Sequence, residues 1–115
     1  MDQSVRPFFS VAIPTWGIKG KGAEYLEHSF NIIAQQNFTD YEVVISDHSE
    51  DDDIENLCKS WSSMMTIKYF RNSNGRGKIA PNMNNAIENS RGLFIKMLFQ
   101  DDFLYDTDSL QIIAD

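Results

Sequence analysis

Short apolar runs alternate along the chain with stretches of helical periodicity, and this alternation limits the fold more than any other feature. Between the runs, apolar residues recur every three or four positions, as on the buried face of an amphipathic helix. A chain that alternates strand and helix forms a mostly parallel sheet covered by helices. The sequence therefore predicts a three-layer α/β/α fold with strands at residues 8–13, 41–46, 66–70 and 93–99.

The predicted helices are read from spacing and from their end signals. The third helix illustrates both, because Pro81 suits a first turn and Gly92 is placed to end it. Its apolar residues Met83, Ala86 and Ile87 are predicted to face inward. The helices are predicted at residues 23–36, 54–61, 81–91 and 106–115.

The order of the strands follows from the connections. If the first three strands wind one way and the fourth returns to the other side of the first, the spatial order is 3-2-1-4. Ligands of such sheets bind beyond the carboxyl ends of the strands, where the winding direction reverses. We therefore expect the loops after the first, second and fourth strands to meet at one rim.

Length and charge exclude several classes of protein. The chain has 115 residues, which fits one compact domain, and its net charge of −7 argues against nucleic acid as a partner. No apolar run approaches the ~20 residues of a transmembrane helix, and the N-terminus lacks the apolar core of a signal peptide. With a single cysteine, these features favour the cytoplasm, or the cytoplasmic face of a membrane.

Two adjacent acids, Asp101 and Asp102, follow the fourth apolar run. A carboxylate repels phosphate, but a divalent cation between them reverses the sign, and Mg²⁺ or Mn²⁺ prefers such oxygen ligands. The second and fourth strands flank the first, so their ends should lie roughly 10 Å apart. That gap suits a nucleoside diphosphate, with Asp47 at its nucleoside end and the acidic pair at its diphosphate end.

Four segments in a fixed order carry a resemblance to a known family. They are "SVAIPTW", "YEVVISDHSED", "NMNNAIENSRG" and "LFIKMLFQDDFL". Together they resemble the nucleotide-binding half of the inverting glycosyltransferases of family 2, which have the Rossmann-like GT-A fold. The resemblance extends over roughly residues 8–110.

The resemblance implies roles for individual residues. Pro14 and Thr15 would line the nucleotide pocket with Trp16 packing nearby, and Asp47 would bind the base or ribose. The loop before the third helix would bring Lys78 near the nucleotide.

For the acidic motif, the resemblance implies a different role for each of its two carboxylates. Asp101 would contact the ribose, and Asp102 would bind Mn²⁺ or Mg²⁺. Gln100 stands where the family has a first acid, and "DHSE" replaces the commoner "DDGS" loop. The DxD-like motif therefore offers one or two carboxylates to the metal.

The implied reaction moves a sugar from a nucleotide-diphosphate sugar to an acceptor hydroxyl with inversion, as in polysaccharide biosynthesis. The acceptor, a glycan or a lipid-linked molecule, is not readable from the sequence. The family's general base lies further along the chain, so we expect it downstream of Asp115. Residues 1–115 are accordingly predicted to be a single partial domain that binds donor but does not transfer sugar alone.

Two other functions fit an α/β chain of this length. One is a non-catalytic nucleotide-binding module, and the other is a receiver-like signalling module. Receivers gather their acids after the first and third strands, whereas here the acids follow the second and fourth. A phosphate-binding P-loop at "GRGK" is rejected, because Asn72 and Ile79 occupy positions that the motif reserves for Gly and for Ser or Thr.

Overall fold

The structure is a computed structural model that describes residues 6–17, 20–75 and 78–98. Its strands and helices alternate as the sequence predicts. The helix predicted at residues 106–115 lies outside the described residues. The elements are β1 (Phe9–Thr15), α1 (Gly22–Ala34), β2 (Tyr41–Asp47), α2 (Asp53–Trp61), β3 (Ile67–Arg71), α3 (Ile79–Glu88) and β4 (Phe94–Met97).

The four strands form one parallel sheet in the order β3-β2-β1-β4. The predicted α/β class and strand order are therefore confirmed. The register pairs Thr15 with Asp47, and Asp47 with Arg71, so three neighbouring strands end together. This alignment places the loops that follow β1, β2 and β3 at one edge of the sheet, which we call the carboxyl edge.

The larger core lies between the sheet and helices α1 and α2. Alternate residues of each strand point to this face, because successive side chains of a strand point to opposite sides. Helix spacing of three and four residues brings the apolar stripes of α1 and α2 onto them. The core side chains are Phe9, Val11, Ile13, Leu26, Phe30, Ile33, Val43, Ile45, Ile54, Cys58, Met65 and Leu98.

Helix α3 covers the opposite face and buries a different set of residues from the one predicted. Asn82 and Ala86 are buried, whereas Ile87 is 40% exposed. The predicted inward position of Ile87 is therefore wrong. Hydrophobic periodicity misplaced this face because α3 attaches to the sheet through amide hydrogen bonds as well as apolar contact.

Strand β4 is less covered than its apolar sequence predicts. Leu93, Phe94 and Ile95 are 57%, 58% and 43% exposed. Within the described part of the chain, β4 pairs with β1 alone. The amino end of β4 is therefore not covered on both faces, as a strand inside a three-layer fold would be.

Near the opposite, amino edge of the sheet, a buried acid joins four segments of the chain. The carboxylate of Glu42 accepts hydrogen bonds from the Ser10 hydroxyl at 2.5 Å and from the Arg91 N–H at 2.7 Å. The Lys68 ammonium lies 2.8 Å from its other oxygen. Burial opposes ionisation of Glu42, but the hydrogen bonds and the Lys68 charge outweigh it and lower the pKa of the carboxyl.

The lowered pKa of Glu42 predicts an acid-dependent loss of stability. Because the folded-state pKa lies below the unfolded value, the contribution is present above the unfolded pKa, near 4.5, and is lost as pH falls through the folded pKa. The variant Glu42→Gln should therefore unfold at lower urea concentration than wild type at pH 7, with the difference shrinking below about pH 4. Urea titrations at several pH values measure this, with Glu88→Gln on exposed α3 surface as control. A constant difference across that range would contradict the assignment.

Candidate functional site

The carboxyl edge gathers polar groups from β1 and β2. Thr15 ends β1, and its hydroxyl donates to Asp47 Oδ1 at 3.0 Å. The carbonyl of Thr15 accepts the His48 N–H at 2.9 Å. These contacts continue the pairing of the two strands into the loop that follows β2.

Asp47 lies at the centre of this edge and is 0% exposed. Besides the Thr15 hydroxyl, Oδ1 accepts the Ser49 N–H at 2.9 Å. The other oxygen, Oδ2, accepts the Tyr69 hydroxyl at 2.6 Å. The carboxylate therefore holds the ends of three strands together. It stabilises the edge, and it is also a predicted ligand of the nucleotide.

Tyr69 supplies a hydrogen-bond donor that no sequence pattern predicts. Burial raises the pKa of its phenol, and the hydrogen bond to Asp47 and the charge of that carboxylate raise it further. The hydroxyl consequently remains protonated at neutral pH. The protonated phenol therefore acts as the donor, and the Asp47 carboxylate acts as the acceptor, in this hydrogen bond.

The loop after β3 also lies at this edge, whereas the sequence predicts that the loops after the first, second and fourth strands form the rim. The ring nitrogen Nε2 of His48 lies 3.0 Å from the Asn74 carbonyl. From the end of β3, Arg71 donates to the Ser49 carbonyl at 3.0 Å and contacts Asp52 at 2.8 Å. These contacts join the loops after β2 and β3 to each other.

On the other face of the sheet, α3 reaches the same strand ends through amides. Asn82 Nδ2 donates to the Thr15 carbonyl at 3.1 Å, and Asn82 Oδ1 accepts the Ser46 hydroxyl at 2.6 Å. Asn85 Nδ2 in turn donates to Ser46 Oγ at 2.7 Å. Spacing alone does not reveal such contacts, because asparagine in a helix is more often exposed.

The structure brings together most of the predicted nucleotide ligands that it describes. Pro14 and Thr15 are the last two residues of β1 and lie beside β2, where Asp47 is the last residue. Trp16 follows directly and is 45% exposed at the rim. Lys78 occupies the N-cap position of α3, in extended conformation and exposed.

The predicted acidic motif cannot be placed in the same way. Asp101 and Asp102 lie outside the described residues. Among residues 6–17, 20–75 and 78–98, no three His, Cys, Asp or Glu side chains converge on a metal position. The metal ligand therefore stays a prediction from the sequence. Within the same ranges, no helix is both long and apolar enough to cross a membrane.

A parallel sheet in the order 3-2-1-4, with polar loops gathered at its carboxyl edge, belongs to the doubly wound α/β class, which binds ligands at that edge. The family model described as "Glycosyl transferase family 2" matches residues 10–115. The chain belongs to this family. Its fold, and the resemblance noted in the sequence, are therefore confirmed.

Relatives with known activities or structures agree with this assignment. A GalNAc(5)-diNAcBac-PP-undecaprenol beta-1,3-glucosyltransferase of Campylobacter jejuni is 33% identical over 102 residues, covering 85% of this chain and 31% of that protein. The crystal structure of S. aureus TarS 1–349 with UDP-GlcNAc is 25% identical, with a TM-score of 0.79, covering 92% of this chain and 30% of that one.

A third relative is similar in fold. The mannosyltransferase PcManGT from Pyrobaculum calidifontis, solved with GDP-Man and Mn²⁺, has a TM-score of 0.75 at 23% identity, covering 95% of this chain and 32% of that one. The chain thus spans about a third of the length of each of these three relatives.

Proposed function

We propose that this chain is the nucleotide-sugar-binding part of a glycosyltransferase. The observation that carries the proposal is the pairing of Thr15 with Asp47 at the carboxyl edge of a family 2 fold. The complex of TarS with UDP-GlcNAc and that of PcManGT with GDP-Man support a nucleoside diphosphate sugar as the donor. The donor's base and sugar are left open by this reasoning.

Each group at the edge has a task in donor binding. The nucleoside binds at the part of the edge that contains Thr15 and Asp47. The exposed indole of Trp16 lies beside it and offers an apolar surface. The ammonium of Lys78, at the start of α3, attracts the diphosphate. Asp47 already accepts three donors and has no exposed surface, so its proposed contact with the base or ribose requires the side chains that cover it to shift when the nucleotide binds.

The reaction we propose is a single displacement with inversion at the sugar. The acceptor hydroxyl attacks the anomeric carbon as the bond to the nucleoside diphosphate breaks, and a carboxylate base removes the hydroxyl proton. We expect that base beyond Asp115. Residues 1–115 would then be a partial domain that binds donor.

A divalent metal is part of the proposal, with Asp102 as its ligand and Asp101 near the ribose. Mn²⁺ or Mg²⁺, when bound, would stabilise the charge that develops on the departing diphosphate. The Mn²⁺ in the PcManGT complex supports this choice of ion. The acceptor is proposed to be lipid-linked, as in the Campylobacter relative, and the reaction to take place in the cytoplasm or at the cytoplasmic face of a membrane.

Calorimetric titration tests the proposal. UDP, GDP and dTDP are titrated into the full chain with and without Mn²⁺, and the measurement is repeated with Asp102→Asn. Asp53→Asn is the control, because Asp53 is an exposed acid in the first turn of α2. We expect metal-dependent binding of at least one nucleotide that Asp102→Asn loses and Asp53→Asn keeps.

Three other results would contradict the proposal in different ways. Equal binding by wild type and Asp102→Asn would remove the metal site from it. If none of the three nucleotides binds, the proposed site for the sugar donor is contradicted. Nucleotide binding without any sugar transfer by the full-length protein would favour the non-catalytic module.

A further inference from the structure

The inward face of α3 is built in an unusual way for a helix that packs on a sheet. It buries the amide of Asn82, at 3% exposed, while Ile79 and Ile87 are exposed. An apolar side chain in place of a buried amide would avoid the free energy of removing a polar group from water. Positions where a sequence departs from the usual pattern of apolar residues on a buried helix face are often functional.

The hydrogen bonds of Asn82 form a continuous chain. Asn85 donates to the Ser46 hydroxyl, which donates to Asn82 Oδ1, and Asn82 Nδ2 donates to the Thr15 carbonyl. Each member donates in the same direction, so the bonds reinforce one another. Fully satisfied buried networks of this kind hold their members in one geometry.

The Thr15 carbonyl accepts two hydrogen bonds and so joins the loop after β2 to α3; we call it the junction of the carboxyl edge. One of its hydrogen bonds comes from the His48 N–H, at the start of the loop after β2, and the other comes from Asn82. Lys78 begins the same helix one turn before Asn82. Asn82 therefore links the start of α3 directly to the strand end that orients Asp47.

We infer that Asn82 is a positioning residue of the donor site. It holds Lys78 at a fixed distance from Thr15 and Asp47, so that a nucleoside and its diphosphate can be bound together. The inference rests on the proposed function, because its consequence for binding requires a nucleotide at this edge. Asn82 itself does not need to contact the nucleotide.

Substitution of Asn82 by aspartate tests the inference with the least change of shape. Asn82→Asp replaces the donor to the Thr15 carbonyl by a second acceptor, which repels it. Asn82→Ala removes both bonds. Asn84→Asp and Asn84→Ala are matched controls, because Asn84 is an exposed asparagine on the same helix.

The first measurement, made on the full chain, needs no ligand. Amide hydrogen exchange at His48 reports the junction, because its N–H donates to the Thr15 carbonyl, and exchange at Lys78 reports the start of α3. We expect both amides to exchange about tenfold faster or more in the Asn82 variants. Exchange at Gly92, whose N–H bonds to Ser10 at the amino edge, should not change.

The second measurement is the affinity, in the presence of Mn²⁺, for whichever of UDP, GDP and dTDP binds wild type. We expect about tenfold weaker binding in the Asn82 variants and wild-type binding in the Asn84 variants. Unchanged exchange, or faster exchange with unchanged affinity, would overturn the inference. Unfolding of both Asn82 variants would also overturn it, because it would show a role in stability alone.

Failure of the proposed function gives a different pattern. If UDP, GDP and dTDP all fail to bind wild type, the donor site is wrong, and the role of Asn82 in donor binding falls with it. Hydrogen exchange then still shows whether Asn82 holds the start of α3 to the strand ends.

Discussion

Replacing Asp47 by alanine is expected to lower the free energy of unfolding by about 3 kcal/mol, because two buried donors and one half-buried donor lose their acceptor. Those donors are the Thr15 hydroxyl, the Ser49 N–H and the Tyr69 hydroxyl. A buried donor without a partner costs about 1–3 kcal/mol, and relaxation of the edge recovers part of the total. Urea unfolding followed by circular dichroism measures the change.

Two further variants separate the hydrogen bonds of Asp47 from general effects of removing an acid. Asp47→Asn keeps an acceptor for the Thr15 hydroxyl and the Ser49 N–H, so it should lose about 1 kcal/mol. Asp40→Ala removes an exposed acid and should change stability by less than about 0.5 kcal/mol. A loss from Asp47→Ala no larger than that from Asp40→Ala would show that the carboxylate does not organise the edge.

Replacing Gly92 by alanine should destabilise the protein by about 3 kcal/mol, because there is no room for a methyl group. A Cβ at this position would lie 2.6 Å from the Phe9 carbonyl carbon and closer still to the Ser10 nitrogen. Both atoms belong to the backbone of β1, which is paired on both sides. The strand cannot move aside without disturbing its pairing with β2 and β4.

Gly17→Ala is the matched control for Gly92→Ala. A Cβ at Gly17 would meet nothing within 4 Å, so its effect should stay within about 0.5 kcal/mol. Thermal or urea unfolding of the two variants checks the contrast. Equal stability of the two would mean that the turn before β4 lies further from β1 than the structure shows.

The sequence predicted the sheet well because its signals are local and periodic. β-Branched runs separated by helical spacing identify the elements, and the rules of parallel connections leave few strand orders. The carboxyl edge then follows as the place where Thr15 and Asp47 meet, and the register confirms that they are paired. The roles of both residues in nucleotide binding stay predictions.

The contacts that organise the edge could not be predicted in the same way. Tyr69 and Asn82 act through hydrogen bonds to groups distant in sequence, and neither has a spacing or motif that marks it. Hydrophobic periodicity even assigned Ile87 to the buried face of α3, where Asn82 lies instead. Such polar contacts depend on the three-dimensional position of both partners.

The measurement that tests the central claim most directly is an amide NMR titration of the full chain with UDP, GDP and dTDP, each in the presence of Mg²⁺. If the loops at the carboxyl edge hold a nucleotide, the largest shifts will fall on Thr15, Trp16, His48 and Lys78. Gly92, at the amino edge, will not shift. Shifts concentrated around Gly92, or no shifts at any nucleotide concentration, would contradict a nucleotide site at the carboxyl edge.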